Sequence, residues 1–140
     1  EIDILENRGR ISNISSSALH FGKQWNKKST LVGEALIPRQ VRFQDKFHSI
    51  SLVWKENVIA FYLDNSSDPY FTINSDHSEF KKYKYPFNRD YYMILNVAVG
   101  GKYDDYWVDF DAFCNDEECS NKEDPDSHRF IIDWIEYERL

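Results

Sequence analysis

The chain has 140 residues, enough for one domain by length, and carries a formal net charge of −7. Proteins that bind nucleic acid neutralise its phosphates with clustered Lys and Arg, so this acidic balance argues against a nucleic-acid partner. No stretch approaches the roughly 20 consecutive apolar residues that a membrane-spanning helix needs, so a membrane partner is not expected either.

The first six residues contain three carboxylates, Glu1, Asp3 and Glu6, separated by apolar residues. Because side chains alternate between the two faces of a strand, Glu1 and Asp3 share one face, but strict alternation would send Glu6 to the apolar face. Burying a lone carboxylate is costly. We therefore predict a β-bulge near Ile4 and Leu5, which returns Glu6 to the face of Glu1 and Asp3.

A row of three carboxylates on an open strand face suits cleavage of a glycosidic bond. A retaining hydrolase uses two carboxylates about 5–5.5 Å apart, one as nucleophile and one as general acid and then base. An intervening carboxylate spreads their pKa values by like-charge coupling, which keeps one group protonated near neutrality. A solvated acidic strand end is the alternative interpretation of the same spacing.

Four more strands are predicted in the middle of the chain, over residues 17–22, 29–36, 47–54 and 58–64. The last two form a hairpin, because apolar and polar residues alternate with period two before a short turn, and a continuously apolar run follows it. Residues 75–84 are polar and are predicted to be an excursion between strands.

The C-terminal third is predicted to contain a buried strand over residues 91–99, which stops at Gly100 and Gly101, and a closing strand over 130–139. No segment shows helical periodicity, so the whole chain is expected to be all-β. The acidic residues between 102 and 126 allow a calcium site, but no EF-hand pattern is present and a surface loop is favoured. Cys114 and Cys119 form either a local disulfide or two free thiols.

The opening segment Glu1-Ile2-Asp3-Ile4-Leu5-Glu6 resembles the E-x-D-x-x-E signature of glycoside hydrolase family 16, in the form found in its laminarinase-like branch of endo-1,3-β-glucanases. Segments 47–64, 91–101 and 130–139 resemble later parts of that family in the same order. In segment 47–64 the resemblance implies structural roles for His48 and Trp54, with Trp54 in the core. The resemblance implies a β-sandwich of the concanavalin A-like jelly-roll type. Domains of this type exceed roughly 200 residues. Residues 1–140 are therefore expected to be the C-terminal portion of one catalytic domain, without its N-terminal strands.

Position by position, the resemblance implies that Glu1 is the nucleophile, Asp3 the assisting carboxylate and Glu6 the acid/base. It also places His20 near these carboxylates, where it would hydrogen-bond a sugar hydroxyl or Asp3. A histidine at a strand end without a chemical role is the alternative.

Two weaker expectations concern the C-terminal third. Tyr103 and Trp107 are expected to line sugar subsites, because related enzymes place aromatic loops beside the cleft. In many relatives an aspartate at the position of Asp133 helps to hold a structural calcium away from the cleft, so Asp133 is a metal candidate. No cofactor is expected for catalysis.

The resemblance thus implies a secreted, retaining, endo-acting β-glucan hydrolase, most similar to endo-1,3(4)-β-glucanases, whose partners are a polysaccharide substrate and the N-terminal half of its own domain. One alternative is a non-catalytic β-1,3-glucan-binding protein on the same sandwich. Another is an enzyme of the same family that acts on a different polysaccharide.

Overall fold

The computed structural model describes residues 1–24, 26–108 and 129–139, which fall into two compact units, Glu1–Asp90 and Tyr91–Arg139. Among the described residues, every assigned strand and the α-helix belong to the first unit. In the second unit, the described residues include a 3-10 turn at Lys102–Asp104.

The first unit is built from two antiparallel sheets of three strands each. The first sheet has the order β1-β2-β3 and comprises β1 (Ile2–Asn7), β2 (Ile14–Gln24) and β3 (Lys27–Leu36). The second sheet has the order β4-β5-β6 and comprises β4 (Ile50–Lys55), β5 (Val58–Leu63) and β6 (Phe71–Asn74). Both sheets connect neighbouring strands in chain order, and this fold confirms the predicted β-sandwich.

The core lies where the inward-facing residues of the two sheets meet. Leu19 of β2 and Ile59 and Phe61 of β5 are completely excluded from solvent, and Phe21 of β2 is nearly so. These residues form one buried cluster that also includes Phe87. Full burial of such a side chain contributes about 1.5–3 kcal/mol, so this cluster is a main source of the unit's stability.

The two structural residues expected in the hairpin are both buried or partly buried. The indole Nε1–H of Trp54 donates a 2.8 Å hydrogen bond to the carbonyl oxygen of Phe87, and Trp54 packs against the core. The Nδ1 atom of His48, just before β4, lies 3.0 Å from a carboxylate oxygen of Asp64, just after β5. These contacts support structural roles for Trp54 and His48.

The described chain is nearly all-β, as predicted, with one short α-helix that the sequence analysis did not identify. Residues Ser78–Tyr83 form a short α-helix, α1, within the predicted polar excursion. Six residues span fewer than two turns, too few for an apolar stripe to repeat, so periodicity could not reveal it. Phe80 is its buried residue, and the Phe80 ring lies 4.8 Å from the Phe21 ring. The helix therefore depends on a tertiary contact.

The predicted strands over residues 91–99 and 130–139 are not present in the structure. Tyr92, Ile94 and Trp134, which lie in these segments, are 85%, 70% and 62% exposed. A strand is stable only within a sheet. Among the described residues neither segment belongs to a sheet, and Asn96, expected in a buried strand, is exposed.

Candidate active site

Strand β1 contains the predicted bulge. Asp3 pairs with Ala18 of β2, but the next registered pair is Glu6 with Ser16. Two residues, Ile4 and Leu5, therefore face the single residue between Ser16 and Ala18 on β2. This two-against-one pairing is a β-bulge at the predicted position.

The bulge puts the three carboxylates on one face of the first sheet. Residues paired across two strands point to the same face, and Asp3 and Glu6 face alternate residues of β2. Glu1 lies opposite His20, since each backbone nitrogen is 3.0 Å from the other residue's carbonyl oxygen. Ile2 points the opposite way and packs against the core. The carboxylate row thus lies on the outer face, above an apolar side.

His20 is held between a carboxylate and a hydroxyl on this face. Its Nε2 lies 3.2 Å from Oδ2 of Asp3, and its Nδ1 lies 2.8 Å from Oγ1 of Thr30. Asp3 Oδ2 is buried without a well-aligned hydrogen bond, so its contact with His20 is mainly electrostatic. The structure thus places His20 beside Asp3, one of the two partners expected for it.

The site environment shifts the titration of two of the carboxyl groups. Burial, and then the neighbouring Glu1, raise the pKa of Asp3 above its ordinary value, while His20 opposes the shift. Burial also raises the pKa of Glu6, helped by the charges of Asp3 and Glu1 and opposed by Arg8. A carboxyl group with a raised pKa holds its proton at higher pH and can act as a general acid.

Strand β3 adds side chains to this face that were not identified from the sequence. Across β2, Thr30 pairs with His20, Val32 with Ala18, and Glu34 with Ser16. Val32 is 54% exposed, although it is apolar. Period-two alternation alone places these residues on one face of β3, but the β2–β3 register was needed to place that face beside the carboxylates.

An open depression of about 320 Å³ begins at one end of the carboxylate row. It is lined by Glu1 and His20, by residues 21–24 and by Lys28. Gly22 has φ of +146°, and a Cβ there would collide with the backbone of Lys27. The hairpin at the end of β2 and β3 is therefore closely packed beside the row, and it leaves a recess that is open to solvent.

The other predicted site residues lie in the second unit or outside the described residues. Tyr103 and Trp107 are 42% and 72% exposed. Asp133 is exposed, and within the described ranges it belongs to no group of three or more metal-ligating side chains. A metal role for Asp133 stays a prediction. Cys114, Cys119 and the acidic segment 109–126 lie outside the described residues. Roles in the site for Tyr103 and Trp107 stay predictions.

In the part of the chain that the structure describes, one group of side chains could hold a metal ion, namely Glu1, Asp3 and His20, whose ligand atoms lie within 4.8 Å of one another. Glu1 and Asp3 belong to the carboxylate row, and His20 lies beside Asp3. The group therefore adds no separate metal centre to the site.

A β-sandwich that presents a row of carboxylates on an open face fits the class of glycoside hydrolases, which cleave glycosidic bonds with paired carboxyl groups. Residues 1–135 match the family "Glycosyl hydrolases family 16", and the chain belongs to this family.

Three proteins with sequences similar to this chain have names that describe glycoside-cleaving enzymes. The chain is 34% identical over 110 residues to "Glucan endo-1,3-beta-glucosidase A1" of Niallia circulans, a match that covers 74% of this chain and 16% of that protein. It is 32% identical over 109 residues to "Glucan endo-1,3-beta-glucosidase" of Cryptopygus antarcticus, covering 74% of this chain and 38% of the relative. A third relative, "Endo-1,3-1,4-beta-glycanase ExsH" of Rhizobium meliloti (strain 1021), is 27% identical over 103 residues, or 72% of this chain and 18% of the relative.

The chain thus spans well under half the length of these relatives. No solved structure matches it significantly. Among the described residues, no helix is long and apolar enough to cross a membrane.

Proposed function

We propose that this chain carries the catalytic carboxylates of a retaining, endo-acting β-glucan hydrolase of the endo-1,3(4)-β-glucanase type. The observation that carries the proposal is the bulge in β1, which sets Glu1, Asp3 and Glu6 in one row on an open sheet face. Membership of glycosyl hydrolases family 16 supports a glycosidase, and the names of two of the relatives support a β-glucan as substrate.

In the first step, the carboxylate of Glu1 attacks the anomeric carbon of the sugar. The bond from that carbon to the glycosidic oxygen breaks, and its electron pair stays on the oxygen. Glu6 donates its proton to this oxygen, so the leaving sugar departs as an alcohol. The raised pKa of Glu6, caused first by burial, favours the protonated form that this step requires.

In the second step, water hydrolyses the ester between Glu1 and the sugar. Glu6, now a carboxylate, takes a proton from the water, whose oxygen bonds to the anomeric carbon while Glu1 leaves as a carboxylate. Two displacements at one carbon restore the original anomeric configuration. The catalytic set needs no cofactor for either step.

Asp3 and His20 adjust the charge between the two catalytic glutamates. Asp3 adds negative charge beside Glu6 and so helps to raise its pKa. His20 faces Asp3 and lowers its pKa against the effect of burial. In this arrangement Asp3 assists both glutamates, and His20 limits how far Asp3 itself becomes protonated.

The polymer would lie along the open face of the first sheet. Tyr103 and Trp107 are proposed as apolar platforms for sugar rings, since aromatic side chains combine a large apolar surface with a polar edge. A polymeric glucan is too large to enter a cell, so we propose that the protein acts outside the cell that makes it.

The proposal is tested with the complete natural protein and a panel of polymers: laminarin, mixed-linkage β-glucan, agar and carrageenan. We expect release of reducing ends from laminarin, with the β-anomer appearing first in NMR spectra of the products. Glu56→Gln, in the exposed turn between β4 and β5, is a matched control that should retain activity.

Three outcomes would contradict the proposal. Initial formation of the α-anomer would exclude retention. Hydrolysis of agar or carrageenan in place of laminarin would identify a different polymer specificity. Binding of laminarin without any reducing ends would indicate a non-catalytic glucan-binding protein.

A further inference from the structure

Resting on the proposed function, we infer that Ser17 and Tyr70 are positioning residues that hold the catalytic bulge in place. Their hydroxyl groups form a chain that ends on the carbonyl oxygen of Ile4, within the bulge. Ser17 Oγ is 2.6 Å from this oxygen and 2.5 Å from Tyr70 Oη.

The direction of both hydrogen bonds follows from the chemistry of the groups. A carbonyl oxygen only accepts, so the single hydroxyl hydrogen of Ser17 points to Ile4. Tyr70 must then donate its own hydrogen to Ser17 Oγ. Burial raises the pKa of Tyr70 above its ordinary value, opposed by the Ser17 hydrogen bond, so the phenol keeps the proton that it donates.

The chain of hydroxyls lies at the point where the β1–β2 ladder is irregular. Ser17 is the residue of β2 that faces both Ile4 and Leu5, and its side chain is completely buried. A bulge disturbs the regular ladder of backbone hydrogen bonds, and an unpaired buried carbonyl is costly. Ser17 supplies a side-chain donor to the bulge at this irregular position.

Tyr70 connects this donor to the second sheet. It directly precedes β6, and its backbone N–H donates a 2.9 Å hydrogen bond to the carbonyl oxygen of Phe61 in β5. Its ring packs against the buried core. The bulge of the first sheet is therefore tied, through two hydroxyl groups, to the core and to the opposite sheet.

The consequence concerns the direction of Glu6. The bulge is what returns Glu6 to the face of Glu1 and Asp3, because a shift of one residue moves a side chain to the other face. A bulge that is not anchored at Ile4 samples other pairings, and in those Glu6 is misplaced for proton transfer. Small displacements of a catalytic group lower the rate strongly.

The experiment compares Tyr70→Phe, Ser17→Ala and the double variant with wild type in the complete natural protein. Tyr62→Phe is the matched control, because Tyr62 lies in β5 and the described structure shows no hydrogen bond from its hydroxyl. The readouts are kcat and KM on laminarin, the pH profile of kcat, and the titration of Glu6 followed by carboxyl-carbon NMR.

We expect Ser17→Ala to lower kcat about tenfold or more with little change in KM, Tyr70→Phe to have a smaller effect, and both to shift the Glu6 titration. Because Tyr70 acts through Ser17, the double variant should match Ser17→Ala alone. If Ser17→Ala does not fold, Tyr70→Phe alone carries the test.

A Tyr70→Phe variant that matches Tyr62→Phe in kcat, pH profile and Glu6 titration would overturn the inference. The NMR titration needs no turnover, so it decides the inference even if wild type proves inactive on every polymer. Inactive wild type with a Tyr70-dependent Glu6 titration would refute the proposed hydrolase and leave the positioning intact.

Discussion

His20 lies across the β1–β2 pair from Glu1 and brings its Nε2 to 3.2 Å from Oδ2 of Asp3. The opposite nitrogen of the same ring contacts Thr30 on β3. One side chain of β2 thus contacts both the acidic strand β1 and the strand β3, and it does so beside the central carboxylate of the row. The charge of Asp3 is therefore adjusted from outside its own strand.

The first prediction concerns His20. In His20→Ala, the pKa of Asp3 should rise further, because the neighbour that lowers this pKa is lost while burial and Glu1 remain. We expect kcat/KM on laminarin to fall about tenfold, which corresponds to ~1.4 kcal/mol in the barrier. Carboxyl-carbon NMR and steady-state kinetics provide the measurements. Glu56→Gln, in the exposed turn between β4 and β5, is the control. An unchanged Asp3 titration in His20→Ala would contradict the effect of His20 on Asp3.

The second prediction separates the two catalytic glutamates. Glu1→Gln should lower kcat by several orders of magnitude on any substrate, because the nucleophile is lost. Glu6→Gln should lower it about 10²–10⁴-fold on laminarin, the usual contribution of general acid catalysis. On an aryl β-glucoside oligomer, whose phenolate leaves without a proton, the first step of Glu6→Gln should be largely restored, as seen in a burst of released phenol. Equal losses on both substrates, with Glu56→Gln active, would refute the separate roles.

The third prediction is a pH dependence of stability. The pKa values of Asp3 and Glu6 are raised in the folded protein above their ordinary values of 3.8 and 4.5, mainly by burial. The folded state then binds more protons than the unfolded state, so these groups make the free energy of unfolding fall as the pH rises through this window. Glu6→Gln removes the Glu6 contribution.

Urea unfolding of wild type and Glu6→Gln between pH 3 and pH 7 measures this effect. We expect the variant to gain stability relative to wild type as the pH rises above about 4.5, the ordinary value for a glutamate. Glu56→Gln should show no such trend. A Glu6→Gln variant that loses relative stability with rising pH would show that the ionised form of Glu6 is favoured by the fold.

The fourth prediction tests the contact between the two sheets at Gly33. A Cβ atom at this position in β3 would overlap the side chain of Phe71 in β6. Gly33→Ala should therefore lower the free energy of unfolding by about 1–3 kcal/mol, the usual cost of overpacking. Gly9→Ala is the control, since nothing lies within 4 Å of its added Cβ. Combining Gly33→Ala with Phe71→Leu should cost less than the sum of the two changes, and strict additivity would contradict the contact.

Much of the site could be predicted from the sequence because the relevant rules are local. Alternation along a strand, together with the cost of burying Glu6, was enough to place a bulge at Ile4 and Leu5, and the structure confirms it. The hairpin of β4 and β5 was equally readable from its period-two pattern. In both cases the deciding interactions lie within a few residues of one another.

The sequence by itself determined the acidic strand, its bulge and the all-β character, and the resemblance to glycoside hydrolase family 16 implied the β-sandwich. Only the tertiary structure decided that Ser17 and Tyr70, 53 positions apart, hold that bulge, and that Thr30, Val32 and Glu34 share its face. It also decided that α1 forms and that residues 91–99 and 130–139 do not form strands among the described residues. The physical reason is that register, burial and strand pairing depend on distant neighbours, whereas alternation and the cost of a buried charge depend on the strand alone.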